Sequence, residues 1–227
     1  APLVADTILA MRATDASWQQ ADFDTAKARF SHRRPILAVP EGPFMAQAET
    51  ASIAAFEASV ERLRAKGFSI LRIPAFADID DINSRHRRIC AADMDRVHRP
   101  WFAAHESLYA PATRELIQKG KAIGDNELEL DRRGRDQLRN ALDRALAEAG
   151  ADFWICPSAP GPAPLGLDAT GSPIMNLPWT HAGVPTLSVP AGLSPEGMPL
   201  GLQLAATFGA DENLLAAGLV VQSALEG

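Results

Sequence analysis

Ser158, His181 and Asp168 are the side chains of this sequence that could form a Ser-His-Asp triad for nucleophilic catalysis. The members of such a triad need only meet in space, so their separation along the chain does not count against them. No nucleophile elbow of the G-x-S-x-G type surrounds Ser158, however. The local sequence therefore argues against this triad.

A second combination could offer metal ligands. His86 and Cys90 are four residues apart, which places them on one face of a helix, and Asp93 and His98 lie nearby. Neither a zinc-type pair of ligands nor a second cysteine cluster accompanies them. An exposed, charged helix with incidental histidines explains the pattern better, and the sequence predicts neither a metal nor another cofactor.

Strands and helices alternate along the chain, and they must position these side chains. Residues 36–39 form an apolar run between prolines, residues 48–66 place apolar side chains at helical spacing, and residues 68–73 form a second run after Gly67. This order predicts a βαβ unit with parallel strands. Further strands are predicted at 152–156, 185–189 and 200–205, and further helices at 4–11, 78–105, 111–119, 127–149 and 211–225.

The predicted fold class is α/β, with a mostly parallel or mixed sheet and helices on both faces. Pro100 is expected to kink or interrupt the helical region 78–105, and Gly120 to end the next helix. Gly134 is a weak point of the helix at 127–149, and Asp211 is a plausible N-cap for the last helix.

A proline-rich loop, PSAPGPAP at residues 157–164, follows the apolar run 152–156. It can continue neither a strand nor a helix, so we expect a rigid, largely extended loop at the C-terminal end of that strand. Ligands of open α/β sheets bind at that end. The loop is therefore a candidate wall of a ligand cleft.

Charge and cysteine content exclude several classes of function. All 22 Lys and Arg residues precede Ala151. The segment 151–227 has acidic residues but no Lys or Arg, and it accounts for the net charge of −6. This charge argues against nucleic acid as a partner. Cys90 and Cys156 do not suggest a disulfide framework, and neither a membrane-spanning run nor a signal peptide is present. We expect a soluble, cytoplasmic protein without a membrane partner.

One domain is predicted over residues 1–227. It has a helix-rich, charged part at 1–150 and an apolar, Gly- and Pro-rich sheet core at 151–227. A segment so poor in charge is expected to be the interior of a larger body. A locally acidic surface region is the alternative.

Three blocks of the sequence resemble, in order, the amidase signature family of hydrolases. They are VADTILAM at 4–11, GADFWICPSAPGPAP at 150–164, and GSPIMNLPWTHAGVPTLSVPAG at 171–192 continued by GMPLGLQLAATFGADENLL at 197–215. The third block is the most specific, because it fixes a series of Asn, Pro, Gly and Gln positions together. The resemblance implies a three-layer α/β fold of which this chain is the C-terminal portion.

The catalytic groups of that family are not found in this chain. Its members use a Ser nucleophile, a second Ser in a cis peptide and a Lys base, which must be neutral to accept a proton. They also need a glycine-rich loop whose N–H groups bind the oxyanion. Gly171-Ser172 runs into Pro173, and the lysines all lie in charged helical contexts: Lys27, Lys66, Lys119 and Lys121. No catalytic residue is assigned here, and the missing groups are expected upstream of Ala1.

The substrate-binding residues that we expect are Ser158, from the proline loop, and Asn176, Trp179 and Thr180, which by resemblance line the cleft opposite the missing serines. Two alternatives remain open: Trp179 belongs to the core, and Asn176 caps the turn before Trp179. If Trp179 lines the cleft, Trp179→Ala changes substrate preference more than folding stability.

The sequence thus predicts the C-terminal fragment of an amidase, inactive alone, whose complete enzyme hydrolyses the C–N bond of a small amide. The alternative is a non-catalytic binding or assembly module that docks its exposed sheet face onto another polypeptide. A homodimer that covers this apolar face is also expected.

Overall fold

A five-stranded mixed sheet forms the centre of the computed structural model, which describes residues 3–226. Its strands are β1 (Leu37–Glu41), β2 (Ile70–Pro74), β3 (Phe153–Pro157), β4 (Thr186–Leu193) and β5 (Pro199–Ala205). They are hydrogen-bonded in the order β2-β1-β3-β5-β4. β1 is parallel to β2 and β3, whereas β5 is antiparallel to β3 and β4.

Helices cover both faces of this sheet, which confirms the predicted α/β class. They are α1 (Val4–Thr14), α2 (Gln20–His32), α3 (Thr50–Ala65), α4 (Ile79–His105), α5 (Pro111–Lys121), α6 (Asp125–Ala149), α7 (Leu177–Ala182) and α8 (Asp211–Glu226). One core lies between the sheet and α1, α2, α3 and α8. A second core lies between the opposite face and α4, α6 and α7.

The sequences of β3 and β4 differ because the two strands have different positions in the sheet. Every residue of β3 is buried, as a continuous apolar run in a central strand covered on both faces requires. β4 instead alternates exposed and buried residues, because it is an edge strand with only one face packed on the core. The predicted hairpin of β4 and β5 is confirmed, with Gly197 N donating to the Ser194 carbonyl (2.9 Å) in its turn.

Several helix boundaries differ from those predicted. The sequence analysis does not predict α2, although Phe23, Ala26 and Phe30 have helical spacing and are all buried. Pro100 does not divide the charged helix, which is continuous as α4. Phe102, which is buried beyond the proline, holds the last turn in place. Asp211 is the first residue of α8 rather than its N-cap, since Leu214 N donates to the carbonyl of Ala210 (2.9 Å).

Gly120 does not end α5, which continues to Lys121. A β-carbon on Gly120 would overlap the carbonyl group of Ala91 on α4. This glycine therefore allows α5 to approach the backbone of α4 closely, and the prediction of a helix stop was wrong. Gly134 does not interrupt α6 either, and it lies against the side chain of Arg85.

None of the helices within residues 3–226 is both long enough and apolar enough to cross a bilayer.

Candidate substrate-binding cleft

Ser158, the first residue after β3, is fixed by two hydrogen bonds. Its backbone N–H donates to the carbonyl of Gly201 (3.1 Å), and the side-chain amide of Asn176 donates to the carbonyl of Ser158 (3.2 Å). Asn176 immediately precedes α7 but makes no side-chain capping bond there. Asn176 is thus the N-cap residue of α7 by position, with its carbonyl accepting from Thr180 N (3.0 Å), while its side-chain amide ties the proline loop to the start of α7.

A cavity of about 520 Å³ lies between Ser158, the exposed face of β4 and the start of β5. A β-carbon on Gly201 would overlap Ser158 Oγ and would lie 2.8 Å from Ser188 Oγ. The two hydroxyl groups therefore converge above Gly201, where they can bind the polar atoms of an amide. Ser188 was not among the predicted site residues. It could have been found from the alternation of β4, which places it on the same exposed face as Thr186 and Pro190.

A second cavity, of about 560 Å³, borders the same proline loop. Its walls are residues 159–164, residues 170–172, Pro199 and the side chain of Glu49, which precedes α3. Glu49 N donates to the carbonyl of Pro160 (2.6 Å), so the start of α3 is joined to the loop. Sequence analysis did not select Glu49, because residues 48–66 carried only a helical signal. Pro199 borders both cavities, which therefore adjoin.

Trp179 and Thr180, although adjacent on α7, lie in different surroundings. The indole ring of Trp179 is 1% exposed and packs edge-on against Phe76 (ring centroids 4.9 Å apart) and Phe44 (5.8 Å). Thr180 is exposed. Trp179 borders neither of the two cavities, so its burial favours the core role that the sequence left open.

His181 and Ser158 are in different environments. His181 is 1% exposed, and its ring lies edge-on to that of His86 on α4, with centroids 5.9 Å apart. Within residues 3–226, neither ring nitrogen of His181 has a hydrogen-bond partner. Burial, followed by the charges of neighbouring side chains, lowers the pKa of His181 to about 4. With Asp168 exposed in the loop before α7, the structure does not assemble the Ser158–His181–Asp168 triad.

Cys156 lies beneath this region on β3 and is fully buried. Burial raises the pKa of its thiol to about 12, against the opposing effects of the Trp179 indole and the Gln203 amide. The Gln203 side-chain nitrogen lies 3.7 Å from Cys156 Sγ. A thiol held neutral in this way is not a nucleophile at neutral pH.

The four candidate metal ligands of α4 do not form one site. Cys90 Sγ lies 3.5 Å from His86 Nε2, but Asp93 pairs with Arg96 and Arg132 (both 3.3 Å). His98 Nδ1 is hydrogen-bonded to the Tyr109 hydroxyl (3.0 Å). No group of three or more His, Cys, Asp or Glu side chains in the described part of the chain could hold a metal ion.

All four lysines, on α2, after α3 and on α5, are exposed. The serine relay of the resembling family needs a buried Lys as its proton acceptor, and none of these four is buried. The two cavities therefore offer hydroxyl groups, backbone amides, apolar walls and one carboxylate. These groups can bind and orient a small polar molecule.

Comparison with known proteins identifies the family. The family model described as Amidase matches residues 1–215. The chain therefore belongs to the amidase family, which confirms the resemblance read from the sequence.

Several characterised proteins are similar to this chain. An indoleacetamide hydrolase from Allorhizobium ampelinum is 25% identical over 217 residues, which cover 82% of this chain and 46% of that protein. One of the subunits of the glutamyl-tRNA(Gln) amidotransferase of Gluconobacter oxydans is 40% identical over 97 residues, which cover 39% of this chain and 20% of that polypeptide. A solved crystal structure of an amidase is 27% identical, with a TM-score of 0.76, over 85% of this chain and 46% of the other. The chain spans about half the length of the hydrolase and of the solved amidase.

Proposed function

We propose that this chain forms one wall of an amidase active site that hydrolyses the C–N bond of small amides. The proposal rests on the family match over residues 1–215. Because every Lys of the chain is exposed, none is placed as the buried base of the family's reaction. The nucleophilic Ser, the bridging Ser and the neutral Lys base are then supplied by another part of the enzyme. The chain alone is inactive.

Ser158 binds the substrate in this proposal, and Asn176 positions Ser158. The hydroxyl of Ser158 faces the cavity together with that of Ser188, and Asn176 holds the backbone on which Ser158 lies. The exposed hydroxyl of Thr180 remains a candidate contact. Trp179 packs in the core against Phe44 and Phe76 and so holds α7 in place beside the cleft.

The uncovered face of β4 is where we place the complementary polypeptide. Thr186, Ser188 and Pro190 are exposed along this edge strand, and Leu193 at its end is 67% exposed. For the chain alone, a homodimer that covers this face is expected. The two unpaired cysteines, Cys90 and Cys156, favour a cytoplasmic location.

The test is an assay of ammonia release from amides, with indoleacetamide included because the indoleacetamide hydrolase aligns with most of the chain. The chain is assayed alone and together with the polypeptide encoded upstream of Ala1. We expect turnover only in the combination. Turnover by the chain alone, lost on Ser158→Ala, would show that it contains its own nucleophile.

A non-catalytic assembly module is the second candidate, and the exposed edge of β4 is the observation that favours it. The reading frame upstream of Ala1 separates the two functions. An in-frame Lys and a Gly-Gly-Ser-Ser loop support the amidase, whereas translation starting near Ala1 supports the module.

A further inference from the structure

Among the described residues that line the cavity beside Glu49, the carboxylate of Glu49 is the one charged group. The rest of its wall consists of backbone, proline and alanine side chains, and the hydroxyls of Thr170 and Ser172. No Lys or Arg occurs anywhere in the segment 151–227, which supplies nearly all of this wall. The segment that forms most of this wall therefore contributes no basic side chain to offset the charge of Glu49.

Two hydrogen bonds fix the position of Glu49 relative to this wall. Its backbone N–H donates to the carbonyl of Pro160 (2.6 Å), and one turn further along α3 the hydroxyl of Ser52 donates to the carbonyl of Ala159 (3.0 Å). The proline loop is stiff, because each proline fixes one backbone dihedral angle. The carboxylate thus approaches a wall that is already in place.

Gly161 provides the space that the carboxylate occupies. Gly161 is buried, and a β-carbon at this position would overlap the carboxylate of Glu49. Glu49 also precedes the first residue of α3, yet its side chain makes no capping bond to that helix. The carboxylate is therefore directed towards the loop and not towards the free N–H groups of the helix.

Within residues 3–226, Glu49 has no cationic partner. In this described part of the chain, no ion pair within 4.0 Å involves it, although two glutamates of α3, the half-buried Glu57 and the exposed Glu61, pair with arginines. An unpaired carboxylate beside a charge-free wall attracts a cation and repels an anion.

We propose that Glu49 selects substrates that carry a positive charge, such as a protonated amine, and rejects amides that carry a carboxylate. The amide nature of the substrate rests on the proposed function. The preference for a cation belongs to the cavity itself and is measured as binding to this chain, without turnover. The two claims can therefore fail separately.

Three para-substituted benzamides, one cationic, one neutral and one anionic, test the proposal: 4-(aminomethyl)benzamide, 4-methylbenzamide and 4-carbamoylbenzoate. Dissociation constants are measured by NMR titration of the 227-residue chain at low salt, with perturbed backbone amides mapped. The cation is expected to bind about fivefold more tightly than the neutral amide, because a nearby unit charge in a solvated site contributes roughly 1 kcal/mol. The anion is expected to bind more weakly than both. The perturbed amides should lie at Glu49 and residues 159–172.

Glu49→Gln should abolish this preference while the neutral amide binds as before. Glu41→Gln is the matched control, because Glu41 is exposed at the end of β1 and does not border the cavity. Gly161→Ala should also weaken the binding of the cation by displacing the carboxylate. Equal binding of cation and neutral amide, no saturable binding of the cation, or an equal loss in Glu41→Gln would each overturn the proposal.

Discussion

His181 is a residue whose ionisation the fold opposes. It is buried beside His86, and the guanidinium groups of Arg135 and Arg85 add to the effect of burial, so its pKa falls from 6.5 to about 4. The unfolded chain binds a proton near pH 6.5, whereas the folded chain does so only near pH 4. Folding stability from this group is therefore complete above pH 6.5 and decreases as the pH falls towards 4.

A pH series of urea denaturation checks this expectation. From about pH 7 to about pH 5, the wild-type free energy of unfolding should fall by about 2 kcal/mol more than that of His181→Leu. His32→Gln, a substitution of an exposed histidine at the end of α2, should retain the wild-type dependence. An equal fall in the wild type and in His181→Leu would contradict the account.

Trp179 and Thr180 are adjacent on α7, but Trp179 is buried and Thr180 is exposed, so their substitutions should differ in their effect on folding stability. Trp179→Ala removes a ring that packs against Phe44 and Phe76, and should cost about 3–5 kcal/mol of stability. Thr180→Ala, at an exposed position, should change it by less than about 0.5 kcal/mol. Trp179→Phe is the variant to use if the alanine variant does not fold. Wild-type stability with changed selectivity in the assembled enzyme would instead support the original hypothesis that Trp179 lines the cleft.

The sequence predicted both Ser158 and Asn176 as residues of the cleft, whereas in the structure Ser158 borders the first cavity and Asn176 borders neither. The motif placed Asn176 near a turn, and only the structure shows that its amide reaches the carbonyl of Ser158. Glu49 and Ser188 were missed for a physical reason. Both reach the cavities through contacts between distant segments, which local periodicity does not encode.

The close contact between α5 and α4 depends on Gly120. Gly120→Ala should place a methyl group against the Ala91 carbonyl and force α5 away from α4, at a cost of about 1–3 kcal/mol. Gly124→Ala is the matched control, because open space surrounds a β-carbon there. Both variants can be compared by thermal denaturation. Equal melting temperatures would show that α5 is not held by this contact.

Most strands and helices could be predicted from apolar periodicity and from Gly and Pro positions. The predicted strands at 36–39, 68–73 and 152–156 correspond to β1, β2 and β3. A short apolar run that ends at a proline is too short for a helix and fits a buried strand. The errors at Pro100 and Gly120 have one cause. Tertiary packing of Phe102 and of Ala91 outweighs the local tendency of proline and glycine to end a helix.

The whole molecule combines a charged helical layer with an apolar sheet whose edge strand β4 leaves one face exposed. The sheet supplies the loops around both cavities, while the exposed lysines leave it without a base. The family match and the chain's span of about half of its relatives agree with this division. In the function that we propose, the chain builds part of an amidase cleft and the reacting groups come from another part of the enzyme.

Ammonia release from indoleacetamide tests this claim most directly. The chain is assayed alone, then with the upstream polypeptide, and again after Ser158→Ala in that combination. We expect no turnover by the chain alone, turnover in the combination, and weaker substrate binding without loss of the reaction in the variant. Turnover by the chain alone, or a combination that assembles and stays inactive, would contradict it.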